Sequence, residues 1–299
     1  MKKTGKAIGI VIVVILGVLA IAFGVCRVYK QLQKDNWVMS EYSDASGNQG
    51  LFYTFYNKGK GTLVVIDGGW KENTDQVRKV INGYGGKVDH WFVTHYHNDH
   101  VDALNEILRE PQGIEIVNIY DSYIEYDDYI NAAKEWDTPE SLRNYLDLTK
   151  NMNNITHLQR DTDIVIDNLT FTVLNAYNRK IKAQKQDLPN NMSLMLKVVG
   201  EENSILFCAD CHGEKMAKML IKKYGDELQA EYVQLGHHGN NSFPESFYDV
   251  VNPNYAIFDG PEWLIDSDEY TAKDLMQYFK EKGVVCYDYR TAENRFVFR

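Results

Sequence analysis

Three of the eight histidines fall within six residues, in the stretch Thr94-His95-Tyr96-His97-Asn98-Asp99-His100. Neutral imidazole and carboxylate are ligands that zinc and related divalent ions favour, so His95, His97, Asp99 and His100 read together as a metal site. A surface loop that happens to be rich in histidine is the competing reading. Four ligand-type residues in six positions make it the poorer one. A catalytic zinc takes three or four protein ligands and keeps a position for water. One loop cannot close two such sites, so further Asp or His must arrive from other strand ends. Asp210 follows the apolar run Ile205-Leu206-Phe207-Cys208, and His237 follows Tyr232-Val233-Gln234-Leu235 in the turn Gly236-His237-His238-Gly239. Each has an ordinary alternative: Asp210 as the N-cap of a helix starting near Gly213, the two histidines as a polar turn.

The elements that must position these residues follow from periodicity. His90-Trp91-Phe92-Val93 is apolar enough for a buried strand, and Val101, Leu104, Ile107 and Leu108 recur at helical spacing. The histidine run therefore occupies a strand-to-helix loop. Residues 51–56 and 62–66 form a hairpin through Asn57-Lys58-Gly59-Lys60-Gly61, ending in Asp67-Gly68-Gly69. A helix is expected near 73–83 and a strand at 115–120. Residues 121–160 are rich in Tyr, Asp and Asn, with a helical piece near 139–149, and could wall a cleft. Strands follow at 163–166 and 169–175, then a hairpin over 193–208, a helix near 214–224 and a strand at 231–235. Alternating strands and helices across 50–299 predict a single layered α/β domain, sheets inside and helices outside.

Residues 7–26 are 20 consecutive uncharged, mostly apolar residues. At about 1.5 Å per residue they span the roughly 30 Å hydrocarbon core, and no Ala-x-Ala cleavage site follows. This predicts a membrane anchor over 1–34 with a transmembrane helix at about 7–26, a polar linker at 35–49, and the layered domain at 50–299. Three basic residues flank each side of the span, but a short tail before a large domain favours a cytoplasmic N-terminus. The expected location is the cell membrane, single-pass, with the domain outside. Residues 1–34 carry six Lys or Arg and no acids, so the remainder carries −10 − 6 = −16. So acidic a domain is poorly suited to holding long nucleic acid, whose phosphates need cationic neutralisation. The four cysteines make no zinc-ribbon or thioredoxin pattern; a single Cys208–Cys211 bridge stays open.

The Asp67-Gly68-Gly69 turn, the His95-x-His97-x-Asp99-His100 motif, Cys208-Ala209-Asp210 and Gly236-His237-His238-Gly239, in this order, resemble the metallo-β-lactamase fold superfamily. Together with Asn191-x-Ser193-Leu194 they look most like its ComEC-like and phosphorylcholine esterase-like branch. The resemblance implies an αββα sandwich holding two divalent ions, zinc first and manganese as the alternative. It places His95 and His97 on one metal and Asp99, His100 and His237 on the second, with Asp210 bridging. Asp67 becomes an outer carboxylate orienting a ligand. Asp99 and His238 are the catalytic candidates, Asp99 as proton acceptor and His238 as a residue near substrate. The reaction implied is hydrolysis of a small-molecule or cell-envelope phosphodiester or related ester by a metal-bound hydroxide. A lactam or thioester hydrolase, or a non-catalytic metal-binding module, are the alternatives. The chain departs from the pattern in two places. No third histidine serves the first metal before Asp210 except His157, read as structural. The Asn-x-Tyr-x-His-Pro run of the ComEC-like branch is replaced by Pro261–Ser267, which lacks histidine. His90 and His212 are read as surface or packing residues.

Overall fold

The runs 63–66, 91–93 and 205–208 are buried throughout. Strands with helices on one face and another sheet on the other must be apolar on both faces. The computed structural model of the chain describes residues 36–44, 46–289 and 293–299. Its first sheet holds β1 (Trp37–Tyr42), β2 (Phe52–Asn57), β3 (Leu63–Asp67), β4 (Lys87–Val93), β5 (Glu115–Asp121) and β6 (Ile155–His157). The second holds β7 (Asp163–Ile166), β8 (Leu169–Asn175), β9 (Met195–Val199), β10 (Ser204–Phe207), β11 (Tyr232–Gln234), β12 (Tyr255–Ile257) and β13 (Val285–Tyr287). The last strand, β14 (Glu293–Phe298), returns to pair antiparallel with β1. The sheet orders are β14-β1-β2-β3-β4-β5-β6 and β13-β12-β11-β10-β9-β8-β7.

Each sheet is antiparallel in one half and parallel in the other. Pairing is parallel from β3 to β6 and from β10 to β13. Side chains alternate between two cores accordingly. Val64, Ile66 and Phe92 meet Ile205, Phe207 and Phe171 between the sheets, where the Phe92 and Phe171 rings stack 5.1 Å apart. Leu63, Val65, Trp91 and Leu206 face the outer helices. Burying each such side chain contributes about 1.5–3 kcal/mol. The helix Asn98–Arg109 buries Val101, Ala103, Leu104 and Ile107, the face its spacing predicts. The result is the expected αββα sandwich.

The expected linker at 35–49 needs correction, because it contains β1. Trp37 and Met39 are fully buried between the sheets, but the buried Ser40 and Glu41 beside them gave the stretch a linker-like composition. The domain therefore takes in residues from Trp37 onward. The span expected at 7–26 lies outside the described residues; among those described, no helix is long and apolar enough to cross a membrane. Cys208 and Cys211 are free, buried thiols, so the bridge left open is not formed. The helix Glu214–Tyr224 is capped by Gly213, which frees Asp210 from that alternative role.

Candidate metal centre

Ligand-type side chains converge at the carboxyl ends of the parallel strands of both sheets, where open α/β sheets place their sites. β3 ends in Asp67, β4 leads into Thr94–His97, β10 leads to Asp210, and β11 leads to the His237–His238 turn. Asp67 anchors the first loop. Its carboxylate accepts hydrogen bonds from the Thr94 backbone N–H at 2.7 Å and the Thr94 hydroxyl at 2.5 Å, and lies 2.8 Å from His100 Nδ1. That contact turns His100 Nε2 inward, 3.2 Å from Asp210 Oδ1 and 3.3 Å from His238 Nε2. Asp67 is thus placed to orient His100, as the resemblance implied.

Asp210 projects from a turn in which Ala209 sits at φ 45° and is fixed by its N–H donating to Gln234 Oε1 at 2.7 Å. His237 and His238 also have left-handed backbone, at φ 53° and 56°. His238 Nδ1 lies 3.1 Å from the Asp259 carbonyl oxygen. Its Nε2 therefore faces Asp99 Oδ2 at 3.3 Å and Asp210 Oδ2 at 3.5 Å. Two ligand clusters result, His95 with His100 and Asp210, and Asp99 with His100 and His238. His238 rather than His237 joins Asp99 and His100. His237 approaches Asp210 Oδ2 at 3.9 Å, as His95 does at 3.8 Å. His97 lies beside His95, with ring centroids 4.8 Å apart.

Some residues of the site carried no signal in the sequence. Asp137, in the segment between β5 and β6, has one oxygen 2.9 Å from His97 Nε2 and the other accepting from the Lys134 N–H. Tyr129, on the same segment, has a buried hydroxyl with no hydrogen-bond partner, its ring 6.4 Å from that of His97. His212 packs on His237 at 4.8 Å, in keeping with its reading as a packing residue, and the partner it packs on places it in the wall of the site. His157 stands apart from the centre, 2.6 Å from Asp121, and His90 stacks on Tyr120.

Burial opposes charge on all these groups, and opposite charges overcome it where they meet. His100 is held well above the ordinary imidazole value by Asp210 and Asp99 despite burial, and His238 is pushed up to about 10 by the same carboxylates. Asp210 and Asp99 are held below the usual carboxylate range by His100 and His238. Burial prevails at His95, lowered well below the ordinary value, and at His237, lowered to about 4. Burial thus favours the neutral imidazole, the form a metal takes as ligand, at both. The buried atoms His95 Nε2 and His237 Nδ1 make no hydrogen bond, and Asp210 Oδ1 meets only His100 Nε2. Buried polar atoms are rarely left so. Donor lone pairs converging on two carboxylates suit divalent cations, which bind as the histidines give up protons.

The family described as the metallo-beta-lactamase superfamily matches residues 47–138. CmlA, a diiron beta-hydroxylase from Streptomyces venezuelae, superposes with a TM-score of 0.57 at 12% identity, over 89% of this chain and 55% of its own. The fold is that of the metallo-beta-lactamase superfamily. The metallo-beta-lactamase fold protein YhfI from Bacillus subtilis matches at TM-score 0.53 and 11% identity, over 87% of this chain and 99% of its own. Igni18, a metallo hydrolase from Ignicoccus hospitalis, matches at 0.50 and 12%, over 88% and 100%. This chain spans about half the length of CmlA but nearly all of the other two. No curated protein shows significant sequence similarity to it. The family model covers residues 47–138, and at 11–12% identity the structural likenesses carry the fold alone.

Proposed function

We propose that this chain is a metal-dependent hydrolase that cleaves a phosphodiester or related ester. The observation that carries the reading is the pair of His/Asp clusters sharing His100, with an unpartnered, buried ligand atom on His95. We assign His95, His97 and His237 to one ion, Asp99, His100 and His238 to the other, and Asp210 to both, with zinc preferred and manganese the alternative. On this assignment His237 fills the third-histidine position that the sequence between His100 and Asp210 leaves vacant. Bound there, the ions would polarise a substrate oxygen and make water a nucleophile at neutral pH. Asp99, held as a carboxylate, would be the residue to take a proton from the nucleophile. The Tyr129 hydroxyl donates to the oxygen on which charge builds. His97 and His237 are the solvent-reaching members, 12% and 22% exposed, so substrate enters on their side.

The ComEC-like resemblance favours a phosphodiester, and the −16 charge of residues 35–299 weighs against long nucleic acid. The apolar run at 7–26 leads us to propose a single-pass anchor with the domain outside, facing envelope or other small phosphodiesters. Protease accessibility of the domain on intact cells tests the orientation. For the chemistry, the full chain is assayed against bis(4-nitrophenyl) phosphate and a chromogenic cephalosporin. Turnover of the phosphodiester supports the proposal, and turnover of the lactam alone overturns the substrate class. Inertness of metal-loaded protein on both would favour a metal-binding module instead.

A further inference from the structure

Away from the metal centre, a cavity of about 750 Å³ opens beside the edge strands β6 and β7. No residue of the metal centre lines it. Its volume is that of a small-molecule site. Within a domain of strong negative charge, its wall carries Arg160, Arg179, Lys180 and Lys223 against only Glu125 and Asp161. Asp161 is already engaged by Lys223 and by the Tyr224 hydroxyl. Among the described residues, nothing pairs with the side chains of Arg179 and Lys180.

Two further groups are held in place at this cavity. Arg160 donates from Nη2 to Asn175 Oδ1 at 2.7 Å, which fixes the guanidinium, while its Nε is buried with no partner. His157 is bound through Nδ1 to the buried Asp121, and that hydrogen bond raises its pKa, favouring the cation. The Tyr123 ring lies on His157 at 4.7 Å, and Tyr177 forms part of the wall, tethered by its hydroxyl to Asp128. Fixed donors, free cations and aromatic faces in one concavity are what an anion carrying a planar ring requires.

We propose that this cavity is a second ligand site, for a small organic phosphate whose phosphate meets Arg160, Arg179 and Lys180 while its ring packs on Tyr123. The site is independent of the metal chemistry, and its test is arranged accordingly. Phenyl phosphate is titrated calorimetrically into full-length Asp210→Ala protein, which removes competition from the metal centre. Chelated wild-type protein takes its place if that variant does not fold. We expect saturable one-to-one binding, tighter than that of inorganic phosphate. Adding Arg179→Glu and Lys180→Glu should weaken it by at least about tenfold, as loss of charge-assisted bonds does. Arg160→Lys, which keeps the charge but loses Nε, should also weaken it. Absence of saturable binding, or binding indifferent to the charge reversals, would overturn the proposal. Inorganic phosphate binding as tightly as phenyl phosphate would overturn its aromatic part.

Discussion

His97 Nε2 and Asp137 Oδ1 lie 2.9 Å apart, joining the metal loop to a segment inserted between β5 and β6. With Nε2 engaged, His97 has Nδ1 for a metal, and the buried carboxylate fixes both its tautomer and its ring angle. Partners of this kind typically set metal affinity by roughly 10–100-fold. Asp137→Ala should weaken metal retention by about that factor, and Asp137→Asn by less, since the amide oxygen still accepts. Competition with a chromogenic chelator measures it. Equal affinity in both variants and wild type would remove Asp137 from the site.

The two histidines of the Gly236–Gly239 turn should differ. His238→Ala removes the nitrogen facing Asp99, Asp210 and His100, and should empty the second site and abolish activity. His237→Ala, on the more exposed side, should lower occupancy of the first site and leave the second filled. Metal stoichiometry at matched free zinc separates the outcomes; the reverse pattern would restore His237 to the second metal.

Tyr129→Phe tests the unpartnered hydroxyl. If that group donates to developing charge, kcat should fall on the order of 10²-fold, with metal content unchanged. Lost metal with the same loss of rate would make Tyr129 structural.

Gly236→Ala tests how the backbone aims the turn. A Cβ there would stand 2.3 Å from the Cys211 carbonyl oxygen and 3.2 Å from Phe243 Cδ2, so backbone must move. Overpacking of this kind costs about 1–3 kcal/mol. We expect a lower Tm together with reduced metal content, because the same turn directs His237 and His238. A variant with wild-type Tm would show that the turn yields freely.

Much of this site is legible in the sequence because its first half is contiguous. His95 to His100 follow a buried strand and open a helix, and local periodicity places both. Asp210 is legible from the apolar strand before it. The division of labour between His237 and His238 is not. It depends on two consecutive left-handed residues and on the Asp259 carbonyl, 21 residues further on. Asp137 and Tyr129 were hidden for a similar reason, since a segment rich in Tyr, Asp and Asn has no period to mark which members fold inward. β1 was missed because its buried Ser40 and Glu41 imitate a linker.

Hydrolysis of bis(4-nitrophenyl) phosphate by the full chain, before and after chelation and after return of zinc or manganese, tests the central claim most directly. We expect turnover that disappears on chelation, returns with the metal, and is absent from Asp210→Ala protein at every metal concentration. Turnover that survives complete chelation, or that Asp210→Ala protein retains, would contradict a metal-dependent hydrolase at this centre.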